Sequence, residues 1–67
     1  MDSLVARLRR DPQDLQALGA LSAALEGAAA SVPDPGRRQR IQRLAAAAAL
    51  TGRPDPALEA YDLLGAE

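Results

Sequence analysis

The side chains in this sequence that could do chemistry are carboxylates, arginines, a few hydroxyls and one phenol. Histidine and cysteine do not occur, which removes the commonest general base, the commonest zinc ligand and every thiolate. Ser22, Ser31 and Thr51 have no base at a spacing that would force activation of their hydroxyls. Glu59 and Asp62 lie about one helical turn apart, which is ordinary for an exposed helix face. The sequence therefore predicts a protein that is not an enzyme, with no catalytic residue, no metal ligand, no cofactor and no small-molecule substrate.

All eight basic residues are arginines, and four of them lie close together at Arg37, Arg38, Arg40 and Arg43. Arg37, Arg40 and Arg43 recur at intervals of three, so on a helix they form one exposed stripe. The stripe falls in the first half of a predicted helix, where the macrodipole disfavours cations. Because local stability does not explain the cluster, these four arginines are the candidate partner-binding residues.

Three explanations of this cluster remain open. The arginines form a solvated face or meet Asp14, Glu59 or Asp62 from neighbouring helices; they bind an acidic protein surface; or they bind nucleic-acid phosphate. Nucleic acid ranks last, because the net charge is −1, lysine and asparagine are absent, and the chain has one aromatic residue. A second basic cluster, in residues 7–10, closes the first predicted helix, where cations favour the dipole, so it needs no functional explanation.

Three Asp-Pro pairs indicate where helices start, at Asp11-Pro12, Asp34-Pro35 and Asp55-Pro56. Aspartate at an N-cap accepts a hydrogen bond from a free backbone N–H, and proline in the first turn loses no donor that the helix would use. Glycines and Pro33 indicate the stops. The predicted helices are Ser3–Arg10, Pro12–Ala30, Pro35–Leu50 and Pro56–Leu64.

Apolar residues recur at intervals of three and four in each predicted helix, which gives each helix one buried stripe. The members are Leu4, Val5 and Leu8; Leu15, Leu18, Leu21, Leu25 and Ala28; Ile41, Leu44, Ala45 and Ala48; and Ala57, Leu58, Tyr61 and Leu64. Short connections make sequential helices lie antiparallel. We therefore predict an all-α fold, a small bundle of about four helices arranged as antiparallel helical hairpins, with residues 1–67 as a single helical domain.

The predicted core is thin, because alanine supplies half of the hydrophobic residues, and phenylalanine and tryptophan are absent. A domain of this size has a small stability margin, so an oligomer or a stable partner is expected. The alanine run from Ala45 to Ala49 gives a narrow helix surface. This run lies either in the chain's own core or at an intermolecular contact.

The longest apolar run, from Leu44 to Leu50, is far shorter than the roughly 20 residues that a membrane-spanning helix needs. The first residues, Met1-Asp2-Ser3, do not follow the plan of a signal peptide. We expect a cytoplasmic protein with no membrane partner.

Residues 35–64 resemble one tetratricopeptide-repeat helical hairpin. Ile41, Leu44, Ala45 and Ala48 follow the large-large-small spacing of the first helix of that repeat, and Ala57 and Tyr61 take its small and aromatic positions on the second helix. The second predicted helix echoes the third, since an Asp-Pro pair stands at the same distance before Leu18 as before Ile41. Ile41 and Ala48 depart from the aromatic and tyrosine of the family pattern. The resemblance implies a protein–protein interaction module and carries over no ligand-binding residue.

The sequence thus favours a non-catalytic protein–protein interaction module, an adaptor or regulatory protein that presents a helix face to a protein partner. The first alternative is a structural subunit of a homo-oligomer or of a larger assembly. The second is a small nucleic-acid-associated regulator, whose affinity for duplex would fall steeply with salt.

Overall fold

A computed structural model of the chain describes residues 1–65 and contains four α-helices and no strand in that range. The helices are α1 at Asp2–Arg10, α2 at Leu15–Ala29, α3 at Pro35–Thr51 and α4 at Pro54–Gly65. The helices pack on one another as antiparallel hairpins, so the predicted all-α bundle is confirmed. The predicted domain runs to residue 67, and residues 66 and 67 lie outside the described part.

α2 begins three residues later than the sequence predicts. Its N-cap is Asp14, whose Oδ1 accepts a hydrogen bond of 3.0 Å from the backbone N–H of Ala17. Asp11 instead accepts a hydrogen bond of 3.1 Å from the backbone N–H of Gln13, two residues on. This is the side-chain turn that aspartate commonly forms before a proline bend. The prediction of a start at Pro12 is wrong because Asp14 offers a second cap. Asp11 forms the turn that precedes this cap.

α3 begins at Pro35 as predicted and ends one residue beyond the predicted Leu50. The side chain of Asp34 accepts a hydrogen bond of 3.0 Å from the backbone N–H of Gly36. At the other end Gly52 has a φ angle of 68°, and its N–H donates a hydrogen bond of 2.9 Å to the carbonyl oxygen of Ala48. A side chain at that left-handed position would be strained, so glycine is the residue that can end α3 this way.

α4 begins at Pro54, two residues before the predicted start at Pro56. Asp55 therefore lies inside the first turn of α4 and is not its cap. A carboxylate in the first turn is favoured by the helix dipole, and proline is tolerated there because its missing N–H has no partner in the helix. The third Asp-Pro pair therefore predicts α4 correctly but places its start two residues too late.

The core lies where α3 packs against both α2 and α4, with α1 packed on α2. Much of it is alanine, and four alanines of α3 and α4 have no exposed surface: Ala45, Ala48, Ala57 and Ala60. Side chains this small let helix axes approach closely. Of the two alternatives for the alanine run, the structure favours the chain's own core, because Ala45 and Ala48 are buried in it.

The predicted stripes are correct at their centres and wrong at one end. Leu18, Leu21 and Leu25 of α2 are buried, but Leu15 is 66% exposed. Leu15 is the first residue of α2 and lies beside Gly52, where α3 has already ended. Six predicted members are half-buried: Leu4, Ala28, Leu44, Leu58, Tyr61 and Leu64. Among the described residues, five buried ones lie outside the predicted stripes: Ala17, Ser22, Ala29, Val32 and Ala60.

Within residues 1–65, two polar side-chain contacts hold α1 in place besides its buried Val5 and Leu8. An ion pair of 3.0 Å joins Arg7 to Asp14, the cap of α2. At the start of α1, the hydroxyl of Tyr61 donates a hydrogen bond to Oδ1 of Asp2. That hydrogen bond, followed by burial and the charge of Asp2, raises the pKa of Tyr61. α1 is therefore tied to α2 at one end and to α4 at the other.

Among the described residues, no helix combines the length and the apolar character that crossing a membrane requires.

Replacing Leu21 by alanine should lower the free energy of unfolding by about 2–5 kcal/mol, because Leu21 is fully buried and a cavity would remain. The matched control is Leu50→Ala, since Leu50 is 87% exposed and should change stability by less than about 0.5 kcal/mol. Urea unfolding monitored by helical circular dichroism measures both. Equal effects of the two substitutions would show that the core is wrongly located.

Replacing Asp14 by alanine should destabilise the fold more than replacing Asp11, because Asp14 caps α2 and pairs with Arg7. The hydrogen bond from Ala17, and then the bond and charge of Arg7, lower the pKa of Asp14 below its ordinary value of 3.8. A lowered folded-state pKa stabilises the fold above pH 3.8, and this stabilisation is lost as the pH falls through the folded value.

The urea midpoints of wild type and Asp14→Asn should therefore differ at neutral pH and converge in acid below about pH 3.8. Asp11→Asn provides the matched control, because it makes the same change of charge at a carboxylate that neither caps α2 nor pairs with Arg7. A gap that stays constant down to pH 2 would contradict the role assigned to Asp14.

Candidate protein interface

The four candidate arginines all lie on α3, which contains no acidic residue. The nearest carboxylate along the chain is the cap Asp34. Arg40 and Arg43 are exposed, whereas Arg37 and Arg38 are half-buried. The predicted exposed stripe of Arg37, Arg40 and Arg43 is therefore wrong at Arg37, where the first turn of α3 packs closer to the bundle than the spacing alone indicates.

Arg38 has a structural contact. Its Nη1 donates a hydrogen bond of 3.3 Å to the carbonyl oxygen of Val32, a buried residue of the connection between α2 and α3. A buried carbonyl without a donor is costly, so this contact helps to hold the connection against the start of α3. Arg38 is thus placed to stabilise the fold, and Arg40 and Arg43 are the two candidate arginines that are exposed.

Arg40 pairs with Glu59 of α4 across the surface. Its Nη2 lies 3.4 Å from Oε1 of Glu59, and the two side chains are 64% and 54% exposed. An exposed pair of this kind contributes about 0–1 kcal/mol, and salt screens it further. The sequence predicts Asp14, Glu59 or Asp62 as partners of the cluster: Glu59 is one, Asp14 pairs with Arg7, and among the described residues Asp62 forms no ion pair within 4.0 Å. The pair is weak enough for Arg40 to exchange to a carboxylate on another molecule.

Arg43 is the most available of the four. Among the described residues no carboxylate lies within 4.0 Å of its guanidinium. It borders two shallow grooves that share Gln39. One, of about 380 Å³, is lined by Gly36, Gln39, Arg40, Arg43 and Leu44. The other, of about 560 Å³, is lined by Glu26, Gln39, Gln42, Arg43 and Ala46. An uncompensated cation between two grooves is the main electrostatic feature of this face.

A third groove, of about 410 Å³, opens at the opposite end of the same pair of helices. Its lining comes from the start of α2 and the end of α3: Leu15, Leu18, Gly19, Ala49, Leu50, Thr51 and Gly52. Leu15 and Leu50 are the most exposed large apolar residues of the described chain. Leu50 is the sequence signal of this groove, because it falls outside the spacing of Ile41, Leu44 and Ala48 and therefore off the buried stripe.

The hydroxyls named in the sequence differ in exposure: Ser31 is exposed between α2 and α3, and Thr51 lines the third groove. Ser22 is buried in the core, and Thr51 donates a hydrogen bond of 2.7 Å to the carbonyl of Ala47 in its own helix. Among residues 1–65 no three acidic side chains come together in a way that could hold a metal ion. What the face offers is cationic and amide hydrogen-bond donors beside apolar surface.

The repeat resemblance covers α3 and α4, where Ile41, Ala48 and Ala57 are buried. The echo between α2 and α3 is not kept at the helix starts, because the cap Asp14 stands four residues before Leu18 and the cap Asp34 stands seven before Ile41. The resemblance itself stays a prediction. Comparison with known proteins finds no matching family model, no matching curated protein and no matching solved structure.

Proposed function

We propose that this chain is a non-catalytic protein–protein interaction module, a cytoplasmic adaptor or regulatory protein that presents one face of α3 to a protein partner. The observation that carries the proposal is Arg43, an exposed guanidinium with no carboxylate in reach among the described residues, at the junction of two grooves. A planar guanidinium bonds a carboxylate through two N–H groups, which sets the orientation of the bound group as well as attracting it.

The surroundings of Arg43 favour a protein over a nucleic acid as the partner. Leu44 and Ala46 contribute apolar surface beside it, and Gln39 and Gln42 contribute amides that suit peptide groups. A nucleic-acid interface depends on many cations that neutralise successive phosphates, and this chain has a net charge of −1. The affinity for generic duplex DNA is therefore expected to be weak and insensitive to salt. A steep fall of affinity with salt would favour a nucleic-acid-associated regulator instead.

In this function the arginines contribute mainly to orientation and to the rate of association. Charges at the edge of an interface steer the encounter of two proteins, and their effect declines as salt rises. Arg40 adds to this field when it leaves Glu59. The apolar and amide groups around the two cations then supply the contacts that slow dissociation.

A structural role is the second candidate, in which the chain is one subunit of a homo-oligomer or of a larger assembly. The exposure of Leu15 and Leu50 favours it, because a core this rich in alanine leaves two large apolar side chains uncovered. Light scattering across a wide concentration range separates the two candidates. A constant monomer mass supports the adaptor, and a stable multiple supports the oligomer.

Reversing Arg40 and Arg43 to glutamate should weaken partner capture at least about tenfold, because two attractive charges become repulsive. Capture is measured by affinity purification on the immobilised protein with quantitative mass spectrometry. The matched control is Arg10→Glu with Arg53→Glu, which makes the same change of charge at exposed arginines that line none of the three grooves. Circular dichroism must show unchanged helicity in both variants.

Capture that survives the Arg40 and Arg43 reversal, or that is lost equally in the control, would remove the role proposed for these arginines. In the second case net charge alone, and not the face of α3, would govern the interaction.

A further inference from the structure

The surface between α2 and α3 is polarised along its length. The two helices run antiparallel, so the start of α2 lies beside the end of α3, and the end of α2 lies beside the middle of α3. One end of this surface carries Leu15 and Leu50, and the other carries Arg43 with Gln39. Large apolar side chains are thus concentrated at one end and cationic donors at the other.

The outer side of α2 between these ends is made of very small residues. Gly19, Ala20, Ala23 and Gly27 are all exposed, and a Cβ at Gly19 would meet no atom within 4 Å. Ala46 and Ala49 border the grooves from the side of α3. A surface with so little side-chain bulk lets the backbone of a second helix approach closely.

We propose that this surface receives an amphipathic helix of another protein, with a large apolar side chain against Leu15 and Leu50 and a carboxylate on Arg43. The proposal rests on the proposed function and specifies the partner's chemistry. Arg43 and Leu50 are seven residues apart on one helix, which is about 10 Å at 1.5 Å per residue. The partner's acidic and apolar residues are therefore expected about two turns apart on one face of its helix.

Charge limits the orientation of the partner's helix, which is called the guest helix below. Glu26 borders the Arg43 groove from α2, with no ion pair between the two. A carboxylate on the guest is repelled by Glu26 and attracted by Arg43, so it has to lie on the α3 side of the groove. This fixes the rotation of the guest helix about its own axis, while the two leucines fix its position along the groove.

A second copy of this chain is a poorer occupant. A twofold axis that crosses the helices at the centre of the surface would place the leucines of one copy on the arginine end of the other, which mismatches apolar and charged ends. An axis that runs along the helices would bring the Arg43 ends of the two copies together. An axis at the arginine end would bring the basic clusters of two α3 helices together. An axis at the leucine end would have to bury about 800 Å² per copy for a standard interface, roughly a fifth of the 4212 Å² surface.

The test is a selection from a displayed library of helical peptides of about 14 residues, or four turns, against the intact chain. The expected consensus pairs an acidic residue with a large apolar residue about seven positions away on the same face. Binding of a selected peptide should fall at least about tenfold with Arg43→Glu and with Leu50→Ser. Changing the peptide's acid to arginine should restore binding to Arg43→Glu.

Arg53→Glu is the matched control for the charge reversal, because Arg53 is exposed and lines none of the three grooves. Circular dichroism excludes variants that unfold. No selected peptide, a consensus without the paired residues, or binding that ignores Arg43→Glu and Leu50→Ser would overturn the proposal. So would a dimer in light scattering that Leu50→Ser converts to monomer, since a second copy would then occupy the surface.

The same variants distinguish failure of this inference from failure of the proposed function. A natural partner lost with the Arg40 and Arg43 reversal but retained with Leu50→Ser keeps the interaction module and removes the leucine end from its interface. A partner retained in both variants removes both proposals.

Discussion

The small size of the alanines between the helices is the constraint on which the rest of this structure depends. α3 packs against both α2 and α4, and its inward residues are Ile41, Ala45 and Ala48. A helix with such short inward side chains gains little from each contact, so it must lie near its neighbours to exclude water at all. The caps at Asp14 and Asp34 and the left-handed Gly52 then matter more than in a larger domain, because they fix where each helix begins and ends.

The same constraint shapes the surface. A core built from alanine uses only part of each helix, which leaves broad exposed faces on α2 and α3. On α3 these faces carry arginine and glutamine near the start and Leu50 near the end. One helix therefore contributes both polar and large apolar side chains to one surface. The exposed leucines are not needed to complete the bundle, and Arg43 has no carboxylate in reach among the described residues. Neither feature is explained by the fold.

The fold could be predicted from the sequence to the level of four helices and their buried centres, because the spacing of Leu18, Leu21 and Leu25 leaves one side to bury. The start of α2 could not be predicted because Asp11 and Asp14 both suit a cap, and the contact of Asp14 with Arg7 of α1 is not visible in the spacing. The arginine cluster of α3 could be predicted because four of the eight arginines lie close together in the sequence. Spacing alone could not separate Arg38, bonded to Val32, from Arg43, because exposure depends on which helix lies beside each residue.

The Arg40–Glu59 pair joins α3 to α4 by a contact that either side can lose. A carboxylate that draws Arg40 away leaves Glu59 without its cation, and a cation that neutralises Glu59 frees Arg40. Thermodynamic linkage makes this relation reciprocal: each ligand changes the affinity of the other by the same factor. Because the pair is worth at most about 1 kcal/mol, that factor is at most about fivefold. A ligand of Arg40 on α3 and a ligand of Glu59 on α4 would therefore change each other's affinity with no change of shape.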